Sequence, residues 1–257
     1  MKPLDRDGAD LQRRFSNRRV FLFVDFDGTL APLVSQPHQA RAGGPVMRAI
    51  ATLAALPRAR VAVMSGRPLS FIRARFRAPG LYYGGNHGLE MRGPGVVFRH
   101  EVAAALRPTI RALSVQAKKT FSGFAGVLIE NKGLSMSIHY RRTPLSLRRR
   151  LHRALAVFRL RTSTLPARWR RGKAVWEVLP RVDWDKGRAL KELLRRTGPA
   201  VPVAVGDDIT DEDMFRAVGP HGVGVRVGKS GSSRANYYIS RQGDVAKFLS
   251  RLVEVLQ

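Results

Sequence analysis

The stretch Phe21-Leu22-Phe23-Val24-Asp25-Phe26-Asp27-Gly28-Thr29 sets an apolar run against two carboxylates two residues apart. Side chains alternate across an extended backbone, so Asp25 and Asp27 are expected to point the same way where the strand ends. Two like charges in one place repel, and a proton or a cation must settle them. Gly28 and Thr29 add a permissive backbone and a hydroxyl at the turn. Two further apolar runs stop at polar residues in the same manner. Val61 to Met64 ends at Ser65-Gly66-Arg67, and Val201 to Val205 ends at Gly206-Asp207-Asp208, with Asp211 close behind. Lys186 opens a helical pattern. Carboxylate oxygens suit a hard cation, and Mg²⁺ takes a few of them together with water and a phosphate. Asp25, Asp207 and the main-chain carbonyl of Asp27 would form such a set. With the charge neutralised, one carboxylate can act as nucleophile and another as acid and base. Lys186 would hold the charge of a transferring phosphoryl group. For the opening stretch taken alone, the plain alternative is a solvated turn after a strand.

The elements that must position these residues alternate between strand and helix. Helical patterns start at Pro45 and near Leu69, and a third runs from Lys186 to the Gly198-Pro199 stop. Leu81-Tyr82-Tyr83 leads to the polar turn Gly84-Gly85-Asn86-His87-Gly88-Leu89-Glu90, and strands at Val223–Val227 and Tyr237–Ile239 precede a closing helix from Val245. Such alternation predicts an α/β fold: a parallel, Rossmann-like sheet flanked by helices, whose ligands gather at the carboxyl ends of the strands. Between residues 106 and 181 the texture differs. A helix to about Thr120 precedes a hairpin, Gly126 to Glu130 and Leu134 to Tyr140, around Asn131-Lys132-Gly133. A helix from Ser146 to Arg161 follows, then a second hairpin around Arg170-Arg171-Gly172-Lys173. The expectation is an inserted α+β domain over 106–181 in a catalytic core of 1–105 and 182–257.

The 257 residues carry a net charge of +27, with 46 Lys and Arg against 19 Asp and Glu, and no cysteine. Disulfides, zinc–thiolate sites and cysteine nucleophiles are thereby excluded. The excess is arginine dispersed along the chain, without a zinc-finger, RRM or KH pattern, so specific nucleic-acid recognition is not expected. No apolar run reaches the eighteen or so residues of a membrane span. Residues 1–10 lack the apolar run of a secretory signal, and the expectation is a cytoplasmic monomer whose partner is a small molecule.

Taken together, Asp25-Phe26-Asp27-Gly28-Thr29, Ser65-Gly66-Arg67, Lys186 and Gly206-Asp207-Asp208-x-x-Asp211 resemble the four motifs of the haloacid dehalogenase (HAD) superfamily. Gly85-Asn86-His87-Gly88-Leu89-Glu90, Glu130-Asn131-Lys132, His139-Tyr140-Arg141, Gly172-Lys173-x-x-x-Glu177 and Trp184-Asp185-Lys186-Gly187 are similar to the trehalose-6-phosphate phosphatases within it. The resemblance runs from about residue 20 to the end. It implies a HAD core with the inserted block as cap, Mg²⁺ at Asp25, Asp27 and Asp207, and a sugar phosphate as substrate. Asp25 would attack phosphorus, Asp27 would act as acid and then base, and Ser65 and Lys186 would hold phosphoryl oxygens. Arg67, Asn86, His87, Glu130, Lys132 and Glu177 would contact the substrate, with Thr29, Asp208 and Asp211 supporting the site. Read without the resemblance, Glu130 and Lys132 are a solvated hairpin pair, His139 is a strand histidine with a satisfied ring, and Asp211 is a helix N-terminal carboxylate. The competing functions are hydrolysis of another sugar phosphate, such as sucrose phosphate, and a non-catalytic basic module that binds nucleic acid.

Overall fold

The computed structural model describes residues 1–4, 9–172 and 174–257, and of residues 9–11 only the backbone. Of the second hairpin turn, Lys173 lies outside the described residues. The chain divides into two compact units, Met1–Phe98 with Trp184–Gln257, and Arg99–Asp183.

The first unit begins with β1 (Lys2–Pro3), α1 (Ala9–Phe15), β2 (Val20–Asp25), α2 (Gly44–Ala55), β3 (Ala59–Met64), α3 (Leu69–Arg75) and β4 (Leu81–Gly85). Strands β5 (Glu90–Gly93) and β6 (Val96–Arg99) follow. The second unit holds α4 (Glu101–Ala105), α5 (Arg107–Phe121), β7 (Leu128–Asn131), β8 (Met136–His139), α6 (Leu145–Arg161), β9 (Ala167–Gly172) and β10 (Val175–Pro180). The chain then returns through α7 (Lys186–Thr197), β11 (Val201–Gly206), α8 (Glu212–Ala217), β12 (Val223–Val227), β13 (Tyr237–Ile239) and α9 (Val245–Leu256). Among the described residues no helix is long and apolar enough to cross a membrane.

The large sheet runs β1-β13-β12-β11-β2-β3-β4-β5-β6. Its pairings from β1 through β4 are parallel, and β5 turns back antiparallel on β4. Strand β2 is buried at every position, as a strand covered on both faces must be. Its even-numbered residues Val20, Leu22 and Val24 pack with Ile50 and Leu53 of α2 and Leu249 and Leu252 of α9. Phe21 and Phe23 pack on the opposite side with Ala189, Leu190 and Leu193 of α7 and Met214 of α8. Each such side chain contributes roughly 1.5–3 kcal/mol by leaving water. This parity fixes the site, because Asp25 continues the row of Phe21 and Phe23 toward the helix that begins with Lys186.

Two sequence expectations shift, and one stretch without an assigned element forms strands. Residues 90–99 form β5 and β6 at the sheet edge, where mixed polarity such as Glu90-Met91-Arg92-Gly93 hides the strand period. The single helix expected to Thr120 is two, parted at Leu106 where Pro108 enters the first turn of α5. The hairpin connection is longer than the Asn-Lys-Gly turn: Asn131 still pairs with Met136, and Lys132 N donates to Ser135 O at 2.9 Å.

The second unit's sheet is antiparallel, in the order β7-β8-β10-β9. One face carries Met136, Ile138 and Val178 against Ile110, Leu113 and Phe121 of α5 and Leu151, Leu155 and Phe158 of α6. On the other face the register lines up Glu130, Ser137, Glu177 and Arg170 in one row across the four strands.

Candidate functional site: a buried carboxylate group at the strand ends

Lys186 stands at the centre of the first unit's site. Its Nζ donates to Asp25 Oδ1 at 2.5 Å and to Asp211 Oδ1 at 2.7 Å, and all three side chains are at most 7% exposed. The helix that presents it is seated by Asp185, whose side chain accepts from Arg188 N at 2.8 Å. Asp211 divides its two oxygens. While Oδ1 takes Lys186, Oδ2 accepts the main-chain N–H groups of Asp207 (2.9 Å) and Asp208 (3.0 Å). Asp208 returns the favour in a capping box over Ile209–Asp211. Gly206 is required here, since a Cβ on it would run into the Asp211 carboxyl. Thus Asp211 is both the helix-end carboxylate and a direct partner of Lys186, and its role is to fold the loop that delivers Asp207.

Asp25, Asp207 and Asp211 are all buried and bring carboxylate oxygens within 4.8 Å of one another. Burial is the first reason the Asp25 carboxyl is pushed well above its ordinary value; Lys186 opposes the shift, and repulsion from Asp211 and Asp207 adds to it. Burial works the other way on Lys186, but the carboxylates of Asp211 and Asp25 outweigh it and hold the ammonium charged. Lys186 bonds to Asp25 and Asp211, and an Asp207 carboxylate oxygen lies within 4.8 Å of theirs. The donor set is oxygen only and hard, which fits Mg²⁺. Gly28, at φ +88°, lets the turn after β2 close over Asp207, whose carboxyl a Cβ would strike. Thr29 is fully buried beneath this turn, and its Oγ1 has no hydrogen-bond partner among the described residues.

Asp27 stands outside the group of Asp25, Asp207 and Asp211. Strand β2 stops at Asp25, and Phe26 packs in the core with Val20, Leu22 and Val24, so the alternation holds through Phe26. The Asp27 carboxylate is gripped by Arg67, Nε to Oδ2 at 2.8 Å and Nη2 to Oδ1 at 2.6 Å, and its side chain is 28% exposed. Arg67 Nη1 also donates to Pro37 O at 2.9 Å, and Arg67 N to Ser65 Oγ at 3.1 Å. Ser65 is buried at the end of β3, with its main chain bonded to Gly84 O and His87 N. Asn86 and His87 take consecutive left-handed conformations at φ 49° and 60° and are both buried. Such backbone persists only where the surroundings fix it. Glu90 does so, accepting Asn86 Nδ2 at 2.8 Å and Leu69 N at 3.1 Å on one oxygen.

Sequence reasoning passed over two supports. Arg226 Nη2 donates to the main-chain carbonyl of Asp207 at 2.7 Å and Nη1 to Glu212 at 2.8 Å. A lone arginine inside the apolar strand Val223–Val227 was the available signal. Gln242 Nε2 donates to Thr29 O at 3.1 Å across 213 residues, and no local pattern announces it.

In the second unit, the polar row is tied by side-chain pairs. Lys132 Nζ meets Glu177 Oε1 at 2.9 Å, and His139 Nε2 lies 2.8 Å from Glu130 Oε2. Glu130 and Lys132 are therefore paired and largely covered rather than a solvated pair. Ser137 lies between the two glutamates, fully buried, with Oγ unpartnered among the described residues. Alternating donors and acceptors of this kind suit a polyol.

Comparison with known proteins agrees with this geometry. The trehalose-phosphatase family profile matches residues 23–244. The chain is 36% identical over 248 residues to a trehalose-phosphate phosphatase of Mycobacterium ulcerans, covering 93% of this chain and 62% of that protein. It is 35% identical over 250 residues to the trehalose-phosphate phosphatase of Mycobacterium tuberculosis, covering 93% and 63%. The chain thus spans about three fifths of the length of these relatives. In fold it is similar to the C-terminal domain of Candida albicans trehalose-6-phosphate phosphatase, with a TM-score of 0.82, 22% identity and 98% of each chain covered. The core sheet and its flanking helices share the fold of that domain. With the family profile covering most of its length, this chain belongs to the trehalose-phosphatase family.

Proposed function

We propose that the protein hydrolyses trehalose 6-phosphate to trehalose and phosphate, with Mg²⁺, through an aspartyl-phosphate at Asp25. The observation that carries the reading is the buried group of Asp25, Asp207 and Asp211 joined by Lys186 at the carboxyl ends of β2 and β11. Asp25, the main-chain carbonyl of Asp27 and Asp207 would hold the Mg²⁺, which when bound offsets the negative charge of carboxylate and phosphoryl oxygens.

An Asp25 oxygen attacks phosphorus, the bond from phosphorus to the sugar oxygen breaks, and Asp27 gives that oxygen its proton. Asp27 then takes a proton from water, which attacks phosphorus and frees both phosphate and the Asp25 carboxylate. Lys186 keeps an Asp25 oxygen oriented and balances phosphoryl charge, and Ser65 accepts a place beside a phosphoryl oxygen. For its step Asp27 must exchange at least one Arg67 hydrogen bond for the sugar oxygen. Arg67 thereby sets when Asp27 is free to carry a proton. Asn86 and His87 are fixed close to Ser65 and contact substrate from the β4 end. Glu130, Lys132 and Glu177, on the polar face of the second unit acting as cap, take the sugar hydroxyls.

The test is phosphate release from trehalose 6-phosphate, sucrose 6-phosphate and glucose 6-phosphate, with Mg²⁺ and with a chelator. Trehalose 6-phosphate should turn over fastest, and the chelator should stop the reaction. Asp25→Asn should lower kcat by about 10⁴-fold or more, as loss of a covalent nucleophile does. Comparable rates on all three substrates would refute the sugar assignment, and an active Asp25→Asn would refute the chemistry.

A further inference from the structure

The second unit separates its charges by layer, and the phosphatase reading leaves this unused. Helices α5 and α6 both pack on the apolar face of the sheet, opposite the row of Glu130, Ser137 and Glu177. They meet through Phe121 and Phe158, whose ring centroids lie 5.4 Å apart, and Arg150 of α6 stands over the Phe124 ring just past α5. Helix α5 carries four Lys and Arg and α6 carries six, with no Asp or Glu in either. The unit's four acids stand elsewhere: Glu101 on α4, Glu130 and Glu177 on the polar sheet face, and Asp183 beyond β10.

Along α6, Leu145, Arg149, Arg153, Val157 and Arg161 follow one another at intervals of four residues, so they share one face, and all are exposed. Leu160 joins them three residues after Val157. Leu145 is 78% and Leu160 74% exposed, and Val115 on α5 is half exposed. Arg149, Arg153 and Arg161 have no acidic partner among the described residues. Like charges four residues apart on a helix repel, and a surface of opposite sign relieves them. Nucleic acid and an anionic bilayer both offer phosphates in number; the apolar side chains decide between them. Sites for single strands present aromatic rings on which bases stack, but Phe121 and Phe158 are both buried in the core. Exposed Leu and Val among arginines, whose stems lie along apolar surface while their heads reach phosphate, make up a helix that rests at the boundary of headgroups and acyl chains.

We propose that the outer face of α5 and α6 docks on an anionic phospholipid surface. The docking is independent of the phosphatase reading and is measured without turnover. The full chain is sedimented with vesicles of phosphatidylcholine alone and of phosphatidylcholine with about a third phosphatidylglycerol. The parent should bind the anionic vesicles alone, and raising the salt from about 0.05 to about 0.3 M should weaken this by at least about tenfold as exposed charges are screened. Arg149→Gln with Arg153→Gln should weaken it about 25-fold, near fivefold for each charge. Arg48→Gln with Lys247→Gln, an equal loss of charge at exposed positions of the first unit, should leave it within about threefold. Leu145→Ser with Leu160→Ser should weaken vesicle binding about tenfold and leave any binding of a short DNA duplex unchanged. Failure to bind anionic vesicles, or equal binding to neutral ones, would overturn the proposal with the parent protein alone. Equal weakening by the two charge pairs would reduce the effect to net charge and overturn it too. A leucine pair that binds vesicles like the parent, or a DNA duplex held more tightly than the vesicles through Arg149 and Arg153, would do the same.

Discussion

The two units treat acidic residues in opposite ways. The unit of Met1–Phe98 and Trp184–Gln257 has 27 Lys and Arg against 15 Asp and Glu, and draws Asp25, Asp207 and Asp211 into its interior. Arg99–Asp183 has 19 Lys and Arg against 4 Asp and Glu, and sets two of those four, Glu130 and Glu177, on one sheet face. In the first unit Lys186 fixes Asp25 and Asp211, and two main-chain N–H groups fix Asp211 as well, so their position is controlled to the accuracy of the backbone. In the second, strand register alone sets the spacing of Glu130, Ser137 and Glu177, and the side chains lean on each other. A reacting atom needs the first kind of control; a sugar ring with many hydroxyls tolerates the second. The contrast predicts that variants in the first unit damage folding and chemistry together, whereas variants on the polar row shift affinity.

Lys186→Met is the strongest way to break the contrast. It leaves Asp25 and Asp211 buried without their ammonium partner, and removal of one member of a buried ion pair typically costs about 3–5 kcal/mol. Urea unfolding should show this loss, and turnover should fall with it. A stability change below about 1 kcal/mol would mean that the acids are relieved some other way and that the buried network is not what orders the site.

Gly28→Ala comes next. Ala must adopt φ +88° at a cost of roughly 1–2 kcal/mol, and its Cβ meets the Asp207 carboxyl. Activity should fall more than stability does, because the displaced group is Asp207 itself. Mg²⁺ dependence of the residual rate provides the check: a raised Mg²⁺ requirement places the damage at Asp207.

On the polar row, Glu130→Gln keeps the shape and one acceptor beside His139 while removing the charge. We expect KM for trehalose 6-phosphate to rise about tenfold, the worth of one charged hydrogen bond, with kcat and unfolding free energy nearly unchanged. A collapse of kcat with constant KM would instead tie Glu130 to the chemical step and erase the division between the units.

The sequence revealed the first unit more fully than the second, for a physical reason. Apolar runs that halt at Asp25, Ser65 and Asp207 are strand ends in any fold that buries both sheet faces, and α7 had to begin near Lys186 because Asp185 caps it. Hidden from that reading were contacts set by turns. Asp27, beyond the end of the strand, is held by Arg67, and Asp211 serves as both loop anchor and Lys186 partner. Gln242 and Thr29, 213 residues apart, meet only in the folded chain. In the second unit, alternation from Leu134 to Tyr140 indicated the strand and its polar side, but the pairing of Lys132 with Glu177 depended on the register of β8 with β10, which no local spacing encodes.

Glu192 offers the mildest test, on the outside of the helix that carries Lys186. It accepts both Arg195 Nε and Nη2, at 2.8 and 2.9 Å, and Arg196 Nε at 2.6 Å. The Arg195 hydrogen bonds chiefly, opposed by burial and aided to a lesser degree by Arg196, hold its carboxyl down at about 2 from 4.5. A folded value below the unfolded one stabilises above pH 4.5, and the contribution fades as pH falls from there toward 2. With the Arg195 side chain 68% exposed, water screens the pair, and the contribution should stay below about 1 kcal/mol. Glu192→Gln should therefore lose less than about 1 kcal/mol near pH 7, and the gap to the parent should close as pH is lowered toward about 3. Chemical unfolding at both pH values measures it. A loss approaching that of Lys186→Met would show that surface acids stabilise this unit as strongly as the buried ones, and the difference between the two units would then reflect the number of acids rather than their burial.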